Sequence, residues 1–159
     1  MTLVVILGIA AVALVVYEVY ESMEANGGTS SGNNFIDAFA NAIAQAEGSD
    51  PSINNPGDLT AGDVSASNIT GVFNSAGVVI IDTAQNGWNA LYSKLGNIFS
   101  GVSSVYSPDE TLSQFAETYT GGDNAAQWAQ SVADSLGVSV DDTLADIQAN
   151  FSGGGSNEQ

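Results

Sequence analysis

Glu47 is the residue whose type and position most directly suggest chemistry. Ile36, Ala40 and Ile43 precede it at helical spacing, so all four residues share one face of a predicted helix. The first three are apolar, which predicts that the Glu47 side chain also points inward. Gly48 follows and is typical of a residue that ends a helix. The carboxyl group is therefore expected at a helix end, where a cleft can open.

A carboxyl group in this position is suited to general acid catalysis. Burial without a counter-charge disfavours the charged form and raises the pKa of a carboxyl group. A general acid that works near neutral pH needs a raised pKa. Lys94 is the only basic residue of the chain, so a cationic partner for Glu47 is nearly unavailable. The alternative is that Glu47 is a solvated residue in the last turn of its helix.

The composition narrows the chemistry further. The chain of 159 residues contains neither Cys nor His, which excludes Ser-His and Cys-His nucleophile systems and removes the usual zinc ligands. No metal or cofactor is predicted. Cleavage of a glycosidic bond is a reaction that carboxyl groups can carry out alone.

Hydrophobic spacing and turn residues predict the elements that must position Glu47. Between residues 34 and 150 they indicate one α+β domain, mainly α, with a small β hairpin. The predicted helices cover about 34–47, 83–99, 108–119, 123–136 and 142–150, the last one capped by Asp141 or Asp142, and the predicted strands cover 69–73 and 77–81.

An ordered set of short motifs accompanies these elements. The set consists of Ala46-Glu47-Gly48, Asn54-Asn55-Pro56-Gly57-Asp58-Leu59, Gly87-Trp88-Asn89-Ala90-Leu91, Thr111-Leu112-Ser113-Gln114-Phe115 and Leu136-Gly137-Val138. Over about residues 34–148 this order resembles a lysozyme-like group of phage and bacterial peptidoglycan-cleaving proteins, which includes lytic transglycosylases and goose-type lysozymes. The resemblance implies a lysozyme-like helical domain.

The resemblance also implies roles for four residues. Glu47 corresponds to the catalytic acid, and Asn55 and Gln85 correspond to contacts with sugar amide groups. Tyr119 lies where related transglycosylases place an active-site Tyr-Asn-Ala-Gly turn, although Thr120 replaces the Asn here. Ordinary surface roles for Asn55 and Gln85, and a half-buried helix-end role for Tyr119, are the alternatives.

Asp58 is a candidate second carboxylate and substrate contact, with backbone capping in a turn as the alternative. If two carboxylates flank the sugar, their separation predicts a retaining or an inverting reaction. If Glu47 acts alone, the resemblance implies the reaction of a lytic transglycosylase or a goose-type lysozyme. In the first, the 6-hydroxyl of N-acetylmuramic acid attacks the anomeric carbon; in the second, water attacks it.

The N-terminal segment is predicted to be a membrane anchor. Residues 2–16 carry no charge, and about 19 apolar residues span roughly 28 Å as a helix. Tyr17 and Tyr20 would lie at the membrane interface. A cleaved signal peptide and an apolar helix packed against partner subunits are the alternatives. Residues 21–33 are predicted to be a flexible linker, and residues 151–159 a disordered tail.

The net charge of −17 excludes phosphate-neutralising contacts, so no nucleic-acid partner is predicted. The expected partners are peptidoglycan glycan strands, a lipid membrane through residues 1–20, and other virion proteins. We therefore expect a membrane-anchored muralytic enzyme in a virion or a bacterial cell envelope, with its domain outside the cytoplasm. The alternative is an inactive structural protein of the virion or membrane that keeps the lysozyme-like fold.

Overall fold

A computed structural model of the chain describes residues 34–48 and 50–153. These residues form five α-helices and one antiparallel sheet of two strands, which confirms the predicted α+β, mainly α class. The helices are α1 (Asn34–Glu47), α2 (Ala84–Phe99), α3 (Leu112–Thr120), α4 (Ala125–Leu136) and α5 (Leu144–Gly153), and the strands are β1 (Ile69–Val72) and β2 (Val79–Ile81).

The predicted transmembrane helix (1–20) and linker (21–33) lie outside the described residues. Among the helices that the structure does describe, none combines the length and the apolar composition needed to cross a membrane. The predicted tail (151–159) begins too early, because α5 continues to Gly153. The ring of Phe151 contacts that of Phe35 at 5.4 Å between centroids, and this contact explains the longer helix.

Helix α1 lies at the centre of the core. It packs against α2, α4 and α5. Ala40 and Ile43 are fully buried and Ile36 is nearly so, which confirms the predicted inward stripe. Phe39, also on α1, meets Phe99 and Phe115 edge-on at 5.1 and 5.9 Å between ring centroids. These contacts fix the rotation of α1 and hence the direction in which its last residue points.

Threonine side chains set where three of the helices begin. The hydroxyls of Thr83, Thr111 and Thr143 each accept a hydrogen bond from the backbone N–H three residues later. Helix α3 therefore begins at Leu112, after residues 108–111, which were predicted to be its first turn. Thr143 replaces the predicted aspartate as the cap of α5.

The small sheet presents one face to the core. Val79 and Ile81 of β2 are buried, and β1 pairs with β2 through an irregular register in which Gly71 lies opposite Ile80. Both strands are shorter than predicted, because residues 73–78 form the connecting turn. The sheet therefore contributes mainly one strand, β2, to the packing around the site.

Gly87 lets the segment before the sheet approach helix α2. A Cβ atom at Gly87 would overlap the carbonyl oxygen of Asn54 and would meet Pro56 Cδ at 3.0 Å. Gly96 lies on the same helix, and a Cβ atom there would face open space. The two glycines therefore differ in packing although both are helical.

Gly87→Ala should lower the free energy of unfolding by about 1–3 kcal/mol, because the added methyl group displaces a backbone carbonyl. The matched control Gly96→Ala should be neutral or stabilising by about 0.5–1 kcal/mol, since alanine favours the helix. Urea unfolding of both full-length variants, followed by circular dichroism, measures the difference. Equal stabilities would contradict the close approach of Asn54 to α2.

Candidate functional site

The Glu47 side chain lies at the end of α1, where the chain turns away. Gly48 adopts the left-handed conformation (φ +60°) and its N–H donates to the Gln45 carbonyl, which ends the helix. The Glu47 side chain is half-buried. The alternative of a fully solvated last-turn residue is therefore wrong for this side chain.

Trp128 of α4 fixes one oxygen of the carboxyl group. Its indole Nε1–H donates to Glu47 Oε1 at 2.9 Å, and its own side chain is only 6% exposed. No described residue donates to Glu47 Oε2. The indole N–H can only donate, so this hydrogen bond can form with the ionised carboxylate. It can also form with the neutral acid, provided that the proton of the acid is on Oε2. The arrangement thus leaves Oε2 as the oxygen that can carry a proton toward a ligand.

Tyr119, the last aromatic residue of α3, contacts the ring of Trp128. The two rings stack at 5.1 Å between centroids with an angle of 28°. The Tyr119 hydroxyl donates to the Gly57 carbonyl at 2.7 Å. Burial raises the pKa of Tyr119 well above its usual value, and the charge of Glu47 raises it further, so Tyr119 stays protonated. The structure thus brings Tyr119 into the surroundings of Glu47.

The segment that bears Asp58 is held by the side chain of Asn55. The amide group of Asn55 donates to the carbonyls of Leu59 and Val79 at 2.9 Å each, and its oxygen accepts from Leu59 N–H at 2.8 Å. Asn54 adds a bond to the Ile81 carbonyl at 3.0 Å. These bonds attach the segment to β2.

Asp58 lies close enough to Glu47 for the two charges to interact. It adopts the left-handed backbone conformation (φ +47°), which is uncommon for residues other than glycine. Its side chain is half-buried, and no described backbone N–H donates to it, so the alternative of a turn-capping side chain is not what the structure presents. Burial raises the pKa of Asp58.

Four influences set the protonation of Glu47. Burial raises the pKa of its carboxyl group above the usual value, and the negative charge of Asp58 raises it further. The hydrogen bond from Trp128 and the positive charge of Lys94 lower the pKa, with a smaller effect. The net pKa is raised, which favours the protonated carboxyl group that a general acid requires.

Lys94 brings a positive charge near Glu47 without forming an ion pair with it. Its Nζ atom forms an ion pair with Asp63 at 3.0 Å and lies over the ring of Tyr119 at 4.8 Å from the centroid. The pairing partner is 31 residues away in the sequence, so no local pattern predicts it. The one available signal is that Lys94 is the only basic residue of the chain.

An open pocket of about 320 Å³ lies beside Lys94. Helix α2 and the segment after it form its walls, which combine hydroxyl, amide and apolar groups. The lining includes Asp63, Ser93, Lys94, Asn97, Ile98, Val102, Ser104, Val105 and Tyr106. Among the described residues, no group of three or more acidic side chains converges in the manner of metal ligands.

Two of the predicted sugar contacts form hydrogen bonds within the protein. Asn55 is 2% exposed, and both of its amide hydrogens and its oxygen are engaged by the backbone, so its role in this conformation is structural. Gln85 is exposed on the first turn of α2, where its amide donates to Asn89 Oδ1 at 3.0 Å. No hydrogen bond within the described part of the chain links Gln85 to Glu47 or Asp58.

Comparison of the chain with models of protein families, with curated proteins and with solved structures finds no match. The function of the site is therefore inferred from its own residues. These are a half-buried acid, a neighbouring carboxylate, a stacked aromatic pair and one ammonium group, contributed by Glu47, Asp58, Trp128, Tyr119 and Lys94.

Two substitutions should move the pKa of Glu47 in opposite directions. Asp58→Asn should lower it, because a neighbouring negative charge is removed, and Trp128→Phe should raise it, because the donor to Oε1 is lost. The ¹³C resonance of the Glu47 carboxyl carbon, followed against pH in the full chain, measures both shifts.

Asp50 serves as the reference group in the same titration. A hydrogen bond from the Ser52 backbone lowers the pKa of Asp50, and neither substitution touches that bond. A Glu47 carboxyl that titrates below the ordinary value for glutamate in the unmodified chain would contradict the geometry described above.

Proposed function

We propose that the protein is a muralytic enzyme, a lytic transglycosylase or lysozyme with a lysozyme-like fold, in which Glu47 is the acid and base. The observation that carries this proposal is the carboxyl group of Glu47, which Trp128 holds through Oε1 while burial and Asp58 raise its pKa. A proton donor of this kind suits the protonation of a glycosidic oxygen.

The proposed reaction begins with proton transfer from Glu47 Oε2 to the oxygen that joins N-acetylmuramic acid to N-acetylglucosamine. The bond from that oxygen to the anomeric carbon then breaks, and positive charge develops on the sugar ring. In this proposal Asp58, whose charge already acts on Glu47, would stabilise the positive charge of the sugar ring. Glu47, now ionised, accepts the proton of the attacking hydroxyl, which comes from the 6-hydroxyl of the same sugar or from water.

The remaining features are consistent with a glycan substrate. The pocket beside Lys94 has hydroxyl and amide groups next to apolar surface, and its lining does not include Glu47 or Asp58, so it would bind a part of the glycan away from the cleaved bond. A chain with a net charge of −17 is repelled by an anionic cell wall, so delivery by the predicted membrane anchor at residues 1–20 would keep the domain at its substrate.

The alternative is a structural protein of a virion or membrane that keeps this arrangement without activity. The same acidic surface and the structural role of Asn55 favour it. Both proposals predict a folded domain, and only the first predicts cleavage of peptidoglycan, so an activity assay separates them.

Glu47→Gln should reduce peptidoglycan cleavage by about 100-fold to 10,000-fold, because the amide cannot donate a proton as an acid does. Glutamine keeps an oxygen that can accept from Trp128, so folding should be preserved. Release of soluble fragments from purified peptidoglycan by the full chain measures the change.

Glu117→Gln is the matched control, since Glu117 is exposed on α3 and the substitution is chemically identical. It should leave the rate unchanged. No release by the unmodified chain would favour the structural alternative, and equal rates for the unmodified chain and Glu47→Gln would remove Glu47 from the mechanism.

Asp58→Asn should lower the rate at pH 7 by only about 10-fold, and the alkaline limb of the pH–rate profile should move to lower pH. The reason is that Glu47 loses the neighbouring charge that favours its protonated form. A loss as complete as that of Glu47→Gln would instead make Asp58 a second essential carboxylate.

Mass analysis of the products for 1,6-anhydro rings identifies the attacking hydroxyl.

A further inference from the structure

Lys94 occupies an unexpected position for the only basic residue of a strongly acidic chain. The sequence contains 18 acidic residues that a cation could neutralise at the surface. The Lys94 side chain is instead only 17% exposed, and that of its partner Asp63 is 22% exposed. Since partly buried ion pairs contribute little net stability, stability alone does not account for this placement.

Three parts of the chain meet at the Lys94 ammonium group. Helix α2 contributes Lys94 itself, the segment before the sheet contributes Asp63, and helix α3 contributes the ring of Tyr119. The ring of Tyr106 lies on a further side, at 5.7 Å from Nζ to the centroid. A cation over the face of an aromatic ring is attracted to it, so Lys94 restrains the Tyr119 ring.

A continuous series of contacts leads from this ammonium group to the acid. Tyr119 stacks on Trp128, and Trp128 donates to Glu47 Oε1. The Tyr119 hydroxyl also holds the Gly57 carbonyl, one residue before Asp58. Trp128 therefore connects Tyr119 to Glu47, and Gly57 connects Tyr119 to Asp58.

We propose that Lys94 is a positioning residue, which holds Tyr119 and through it Trp128 and Glu47, and which supplies the positive charge closest to the acid. The proposal rests on the function proposed above, and it extends the site to the Lys94–Asp63 pair. Lys94 is not expected to touch the reacting atoms, because Asp63 and the two tyrosine rings surround its ammonium group.

The effect of removing Lys94 on the protonation of Glu47 depends on the charged and titratable groups around the two residues. Asp58, Lys94 and Tyr119 face Glu47 from three elements, and Asp63 and Tyr106 face Lys94. Tyr119 stays neutral, so Lys94 opposes the effects of burial and of Asp58 on Glu47. Without it, Glu47 should hold its proton to higher pH.

The test compares Lys94→Met, Lys94→Arg and Asp63→Asn in the full chain. Lys94→Met should raise the pKa of the Glu47 carboxyl, shift the NMR signal of the Trp128 indole N–H, and lower the maximal rate of peptidoglycan cleavage by on the order of 10-fold to 100-fold. Lys94→Arg keeps the positive charge, so its Glu47 carboxyl should titrate as in the unmodified chain. Asp63→Asn removes the ion-pair partner that holds the Lys94 ammonium group, and should shift the Trp128 indole signal.

Asp141→Asn is the control for a change of one unit of net charge, because Asp141 is exposed and makes no side-chain hydrogen bond among the described residues. It should leave both NMR readouts unchanged. If Lys94→Met leaves the Glu47 titration and the Trp128 signal as in the unmodified chain, the proposal is overturned. If Lys94→Met does not fold, an unchanged Trp128 signal in Asp63→Asn overturns it.

The NMR readouts do not require activity, so this proposal and the proposed function can fail separately. Shifts in the expected directions in a chain without cleavage would keep the positioning role and reject the enzyme. Cleavage with an unchanged Glu47 titration and an unchanged Trp128 signal in Lys94→Met would do the reverse.

Discussion

The hydrogen bond from Trp128 to Glu47 joins the end of α1 to the N-terminal part of α4, and the site is organised around it. A carboxyl group at the end of a core helix loses hydration, and an unpaired polar atom there would destabilise the fold. The indole N–H satisfies Oε1 without adding a charge. The carboxyl group can therefore stay in place in its neutral form, which a partner with a full positive charge would disfavour.

The second carboxyl group depends on a different set of bonds. Asn55 connects the Leu59 backbone to β2, and Tyr119 holds the carbonyl of Gly57. Asp58 lies between these two attachments and adopts a left-handed conformation that the attachments maintain. The Asn-Asn-Pro-Gly-Asp-Leu motif thus holds Asp58 in position. Within this motif, Asn55 supports the site through its hydrogen bonds to the backbone.

The parts of this arrangement that follow from local sequence were predictable. The apolar stripe of α1 predicted that Glu47 points inward, because helical spacing alone places it beside Ile43. The approximate positions of the sheet and of α2 followed from hydrophobic spacing and turn residues. Tyr119, which was a predicted site residue, lies close enough to Glu47 in the structure for the Glu47 charge to act on its hydroxyl group.

The parts that depend on tertiary contacts were not predictable. Trp128 is 81 residues from Glu47 and Asp63 is 31 from Lys94, and neither pair has a local pattern that would reveal it. The length of α5 was underestimated for the same reason, since Phe151 packs on Phe35 at the start of α1. For Asn55, the motif indicated a turn but could not indicate which backbone groups its amide would bind.

The acidic composition is what makes the charge balance of the site possible. With a single ammonium group in the sequence, and that group compensated by Asp63, no described residue brings an unpaired cation to Glu47. Burial and Asp58 therefore outweigh Lys94 and Trp128 in setting the pKa of Glu47. A second basic residue close to Oε2 would form an ion pair with Glu47 and lower that pKa. The scarcity of cations thus favours the raised pKa of Glu47, which suits the proton-donor role proposed for it.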